Sequence, residues 1–271
     1  MSPDAFRRGA GSLCSADAPT DIFHAAAGAQ IQLGAGAQGF KVDQPVGPPT
    51  RRRILTAGLI LGATAALIGL PRGAIAADPL KLVVVGDSLT AGLGVEPAKA
   101  FPNQLEARLR AEGLAVEVVN AGVSGDTTAA GLERLDWAVP VDADAVIVEL
   151  GANDALRGIA PAETARNMEA IVARLAASGR PVLVAGMRAP ANWGAEYQAR
   201  FDHIFADVAQ RHGALLMPFF LDGVAMQPAL NQADGIHPNA QGVSVIVDTI
   251  LPFVRDLLAR AGAWRAAAGR G

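Results

Sequence analysis

Five short apolar runs, at 80–86, 115–120, 144–150, 181–186 and 214–217, limit what this chain can become. None alternates polar and apolar residues as a half-solvated strand does, so each reads as a strand covered on both faces. Helical periodicity fills the intervals, at 102–112, 128–138, 161–178, 195–212 and 239–261. Strict alternation of strand and helix predicts an α/β fold, a parallel sheet with helices packed on both sides. From residue 80 onward there is no internal repeat and no sign of a second domain.

The polar signals fall just after the strands. The first run ends in Gly86-Asp87-Ser88-Leu89, the second in a loop from Asn120 to Thr127, and the third in Gly151-Ala152-Asn153-Asp154. The fourth ends in Arg188-Ala189-Pro190-Ala191-Asn192-Trp193-Gly194, and the fifth leads to Asp234-Gly235-Ile236-His237-Pro238. In open α/β sheets ligands sit beyond the carboxyl ends of the strands, so five polar loops at one end predict a site.

These residue types suit acyl transfer. A serine hydroxyl is a weak nucleophile until a base takes its proton, and His237 is the natural base. Asp234, three residues earlier in a tight turn, can hold the imidazole by its Nδ1–H. Three donors are candidates for the developing oxyanion: the Ser88 N–H at a strand-to-helix turn, the N–H of Gly125, and the side-chain amide of Asn153. Taken singly, Ser88 and Asp87 read as helix caps, and Asn153 as a turn residue. Their convergence at strand ends favours catalysis.

Other chemistries find little support. There is no P-loop and no Gly-x-Ser-x-Gly elbow, and the Gly-rich stretch from Gly86 to Gly94 after the first strand lacks Gly-x-Gly-x-x-Gly. His203 and His212 read as surface or capping residues, and no zinc-ligand spacing occurs, so neither metal nor cofactor is expected. The net charge of −3 and the lack of a basic stripe exclude a nucleic-acid partner. Phe219, Phe220 and Leu221 read either as an acyl-pocket wall or as core.

The first third of the chain differs. Residues 1–49 are rich in Ala, Gly, Gln and Pro and read as a disordered or mis-annotated leader. Residues 50–76 carry Arg51-Arg52-Arg53, an apolar run from Ala57 to Leu70 and the small-x-small site Ala74-Ile75-Ala76. That order is a secretory signal peptide, of general or twin-arginine type. Cleavage after Ala76 leaves 195 residues with 16 basic and 22 acidic side chains and no cysteine, since Cys14 is the single one. The expected product, 77–271, is a periplasmic or secreted monomer without stable membrane insertion.

Gly86-Asp87-Ser88-Leu89, Gly125, Asn153 in Gly-x-Asn-Asp, and Asp234-x-x-His237 resemble the four blocks of the GDSL/SGNH hydrolases. The nearest likeness is to the bacterial periplasmic thioesterase, lysophospholipase and arylesterase subgroup. The resemblance spans about 80–258. It implies a flavodoxin-like three-layer sandwich with strand order 2-1-3-4-5, a triad of Ser88, Asp234 and His237, and an oxyanion hole of Ser88, Gly125 and Asn153. It also implies that the Ala189-Pro190 loop holds the acyl chain, and Asp87 and Asp154 complete the set expected to meet substrate. Ala152 and Ala189 depart from the residues usual in that subgroup, so chain-length preference does not carry over. The expected activity is hydrolysis of small acyl esters or thioesters. The alternatives are a carbohydrate O-acetylesterase and a non-catalytic exported binding protein on the same fold.

Overall fold

The computed structural model describes residues 78–269. The leader and the signal peptide read above lie outside the described residues.

Five parallel strands form one sheet: β1 (Leu80–Gly86), β2 (Val116–Gly122), β3 (Ala145–Glu149), β4 (Val182–Ala185) and β5 (Leu215–Met217). Their order is β2-β1-β3-β4-β5, as the resemblance implied. The central strands are closed to solvent: Leu82 through Val85 and Ala145 through Glu149 are all buried. Full burial of each Val, Leu or Ile contributes about 1.5–3 kcal/mol, which explains why these runs show no alternation.

Nine α-helices are described. They are α1 (Ser88–Ala91), α2 (Phe101–Ala111), α3 (Thr128–Glu133), α4 (Leu135–Ala138), α5 (Ala152–Leu156), α6 (Pro161–Ala176), α7 (Ala195–Asp202), α8 (Ile204–His212) and α9 (Ala240–Ala267). Helices α2 and α9 pack together, with α9 lying along β1, β3, β4 and β5. Helices α3, α6 and α8 form the other layer. The Phe101 and Phe220 rings meet edge to face at 5.0 Å, and Phe201 and Phe205 do so at 5.6 Å.

Three helical readings change. The stretch 128–138 breaks at Arg134, because that guanidinium turns inward to Asp126 and to the Gly86 carbonyl (2.9 Å). The stretch 195–212 breaks at His203, which lies between α7 and α8. Helix α9 runs six residues beyond 261. Gly262 there has open space around it, and Arg265 ties the helix end to the Asp144 carboxylate and to the carbonyls of Asp78 and Pro79.

β1 and β3 lie side by side although their connections leave in opposite directions, so a crevice opens between their carboxyl ends. The nucleophile candidate and the Asn153 loop emerge on either side of it.

Candidate active site

β1 delivers Ser88 through a tight step. A Cβ on Gly86 would lie 2.1 Å from Thr90 Oγ1 and 2.6 Å from Glu149 Oε2, so only glycine lets α1 fold back on the strand end. Asp87 caps α1 by accepting from Leu89 N at 3.0 Å. Ser88 thereby becomes the first residue of a one-turn helix, with its hydroxyl facing the last loop.

His237 meets it there. Its Nε2 lies 2.9 Å from Ser88 Oγ, and its Nδ1 lies 2.7 Å from Asp234 Oδ2. The other oxygen of Asp234 accepts from the backbone N–H of His237 (3.0 Å) and of Ile236 (2.9 Å). These bonds hold the Asp234 carboxyl down to about 2, with the His237 N–H the largest cause and the His237 ring next. The acid is therefore anionic across the neutral range, able to fix the tautomer that leaves Nε2 free to accept a proton.

The oxyanion candidates stand on two further loops. Asn153, on α5, donates through Nδ2 to Asp87 Oδ2 and to the Asp126 carbonyl, both at 3.0 Å. Gly125 adopts φ +88°, a left-handed conformation that favours glycine, in a turn closed by Asp126 N to Val123 O at 3.1 Å. Its carbonyl accepts from Arg157 Nη2 at 2.8 Å.

Two buried carboxyls lie behind Ser88. Burial pushes Asp87 up to about 6, against the hydrogen bonds from Leu89 and Asn153 that favour its anion. Glu149, at the end of β3, is raised well above the usual range by burial first and by the neighbouring Asp87 charge second. Thr90 Oγ1 donates to Glu149 Oε2 at 2.7 Å. A Glu that closes a wholly apolar strand, and an Arg inside an apolar helical period, are sequence signals that would have marked Glu149 and Arg134.

Ser88 and His237 open onto a cavity of about 350 Å³, whose wall includes Asp87, Asn153, Ala189 and Pro190. Leu89, Leu156, Met187, Phe219, Leu221 and Ile236 make the wall largely apolar. Phe219 and Leu221 thus line the cavity, whereas Phe220 is core. Gly125 and Asp234 stand outside this wall. A groove of about 520 Å³ at the opposite end of the sheet holds Asp78, Glu117, Asp142 and Asp144 with Lys81 and Arg265. Its cations are paired with its own acids, and it holds none of the candidate catalytic groups.

Two substrate contacts need correction. Asp154 is fully buried away from the cavity, and its oxygens accept from Thr128 N (2.8 Å), Thr128 Oγ1 (2.5 Å) and Thr164 Oγ1 (3.2 Å). It joins α3, α5 and α6. Asp87 borders the cavity, but its side chain is closed to solvent and bonded to Leu89 and Asn153. His203 lies at the junction of two helices, and His212 pairs with Glu169 at 2.5 Å. Among the described residues no group of three or more His, Cys, Asp or Glu could hold a metal, and no helix is long and apolar enough to cross a membrane.

Comparison with known proteins points to one family. The sequence profile of the GDSL-like Lipase/Acylhydrolase family matches residues 84–245. Esterase TesA of Pseudomonas aeruginosa is 38% identical over 201 residues, which is 74% of this chain and 98% of that protein. Thioesterase 1/protease 1/lysophospholipase L1 of Escherichia coli (strain K12) is 37% identical over 186 residues, 68% of this chain and 87% of its own. The crystal structure of AlinE4, an SGNH-hydrolase family esterase, superposes with a TM-score of 0.56 at 43% identity, covering 67% of this chain and 97% of that one.

Proposed function

Since this chain belongs to the GDSL-like lipase/acylhydrolase family and hydrolyses acyl esters and thioesters, we propose that Ser88 is its nucleophile, His237 its general base and Asp234 the orienting carboxylate. The observation that carries this reading is the unbroken relay Ser88 Oγ–His237 Nε2 (2.9 Å) and His237 Nδ1–Asp234 Oδ2 (2.7 Å) at the mouth of an apolar cavity.

The Ser88 proton passes to Nε2 as Oγ attacks the acyl carbonyl. Charge develops on the carbonyl oxygen, facing the N–H groups of Ser88 and Gly125 and the Asn153 amide. Asn153 Nδ2 already has two acceptors, so it gives one of those bonds to the oxyanion as charge develops there. The imidazolium then protonates the alcohol or thiol leaving group. Water, activated by the same imidazole, releases the acid from the acyl-enzyme.

The apolar wall favours an acyl chain over a sugar ring, which supports an arylesterase, thioesterase or lysophospholipase range rather than a carbohydrate O-acetylesterase. Ala189 and Pro190 form part of the surface such a chain would follow. Residues 50–76 are read as an export signal, which would deliver the enzyme to the periplasm or beyond. N-terminal sequencing of the exported protein is expected to start at Ala77; an uncleaved chain would overturn that reading.

The test of the triad is a series of p-nitrophenyl esters from acetate to octanoate with the intact enzyme and Ser88→Ala. The intact enzyme is expected to show turnover and stoichiometric labelling by a fluorophosphonate, both lost in Ser88→Ala. Retention of turnover in Ser88→Ala would refute the assignment.

A further inference from the structure

The nucleophile and the base are 149 residues apart in sequence and stand on separate segments. The base segment is poorly buried: Asp234, Gly235 and Ile236 are exposed, so packing alone does little to fix where His237 sits over Ser88. Something must set that separation, because a displacement of about 1 Å at a reacting pair can cost on the order of 100-fold in rate.

Gln232 bridges the two. Its backbone N–H donates to His237 O at 2.7 Å and its carbonyl accepts from Gly235 N at 3.0 Å, which closes the turn carrying Asp234 and His237. Its side-chain Nε2 donates to Pro238 O at 2.9 Å and to Leu93 O at 2.8 Å. The Leu93 N–H in turn donates to Ser88 O at 3.1 Å. A continuous chain of hydrogen bonds thus runs from the nucleophile's peptide to the base's peptide through one amide. Besides the Ser88–His237 bond itself, the Gln232–Leu93 bond is the hydrogen bond that joins segment 87–95 to turn 232–238 among the described residues. The fit is close, since a Cβ on Gly94 would lie 2.0 Å from Gln232 Oε1.

We propose that Gln232 is a positioning residue for the reaction: its side-chain amide clamps the His237 turn to the segment that follows Ser88 and so sets the hydroxyl–imidazole distance. The inference rests on the triad reading above. Removal of the side-chain amide leaves the turn's own closure intact, because the backbone bonds of Gln232 and the Asn231–Pro238 bridge remain. The loss is therefore expected in alignment rather than in folding or substrate binding.

The experiment compares Gln232→Met, close in length but without a donor, with the intact enzyme on p-nitrophenyl butyrate. Gln232→Asn, which keeps the amide but falls one methylene short of Leu93 O, serves if Gln232→Met folds poorly. Active enzyme is counted by titration. The expected result is a fall in kcat of about 10- to 100-fold with KM within about twofold. Phosphorylation of Ser88 by diethyl p-nitrophenyl phosphate, which expels p-nitrophenolate by the same attack but needs no deacylation, is expected to slow by the same factor. Arg110→Met removes a comparable tie far from the site, Arg110 Nε to Val116 O at 3.0 Å, and is expected to leave kcat per active enzyme unchanged. An unchanged kcat and phosphorylation rate in the Gln232 variants, alongside an inactive Ser88→Ala, would overturn the clamp alone. A fall in kcat that Arg110→Met reproduces would likewise overturn it. Turnover by Ser88→Ala would overturn the triad and the clamp together.

Discussion

Asp154→Ala separates a structural acid from a substrate contact. The native carboxylate is wholly buried and accepts three hydrogen bonds, from Thr128 N, Thr128 Oγ1 and Thr164 Oγ1. The two hydroxyls can turn, and Thr128 Oγ1 keeps Asn167 Nδ2 as a donor at 3.1 Å. The Thr128 N–H at the start of α3 cannot turn. Leaving it buried without an acceptor costs about 1–3 kcal/mol, and bonds to a charged acceptor contribute about 1.5–3 kcal/mol each. The variant is expected to lose about 3–5 kcal/mol, which for a domain of this size lowers Tm by roughly 10 °C. Natural stabilities of about 5–15 kcal/mol leave it folded at 25 °C. Urea denaturation followed by circular dichroism reads the loss, and p-nitrophenyl butyrate kinetics read KM, expected within about threefold of the intact enzyme. A denaturation midpoint that stays put while KM rises tenfold would refute this reasoning and return Asp154 to the substrate.

Other outcomes follow from the same geometry. Asn153→Ala is expected to cut turnover by about 10²–10³ with the fold intact, as loss of one oxyanion donor does; a change below severalfold in steady-state assays would remove it from the site. Gly86→Ala forces a Cβ against Thr90 and Glu149, and is expected to cost about 1–3 kcal/mol by denaturation and to depress kcat more than KM. Asp87 has a folded pKa raised from 3.8 to about 6, so its contribution to stability is full below about pH 4 and is lost as pH rises through 6. Asp87→Asn is expected to flatten that decline in urea midpoints taken between pH 4 and 7; parallel curves would contradict it. Arg265→Met is expected to fray the end of α9 and lower Tm by a few degrees without touching kcat, since its partners Asp144, Asp78 and Pro79 all lie at the far end of the sheet.

The central strands were legible because burial on both faces leaves an unbroken apolar run, and 80–86 matches β1 to the residue, whereas the edge strand β2 does alternate, with Val116 and Val118 buried and Glu117 and Asn120 exposed. The motif residues Ser88, Asn153 and His237 were legible because each ends or follows such a run. Helix boundaries were less so. Arg134 and His203 carry no Gly or Pro, so their breaks show only once the guanidinium of Arg134 has a buried acceptor and α7 meets α8. The short helices α1 and α5 are too brief for a period to register. Asp154 was misread because a carboxylate beside Asn153 looks the same in sequence whether it faces a cavity or the threonines of α3 and α6. Gln232 carried no signal, since its role depends on a carbonyl 139 residues away.

Ser88 opens the short helix that follows β1, and His237 lies on the loop after β5, just ahead of α9. A ribosome therefore releases Ser88 long before it releases His237. If the proposed triad holds, hydrolytic competence waits until the turn carrying His237 has been made and has folded against Ser88. On the triad proposed above, a truncation upstream of residue 237 is expected to leave Ser88 inert.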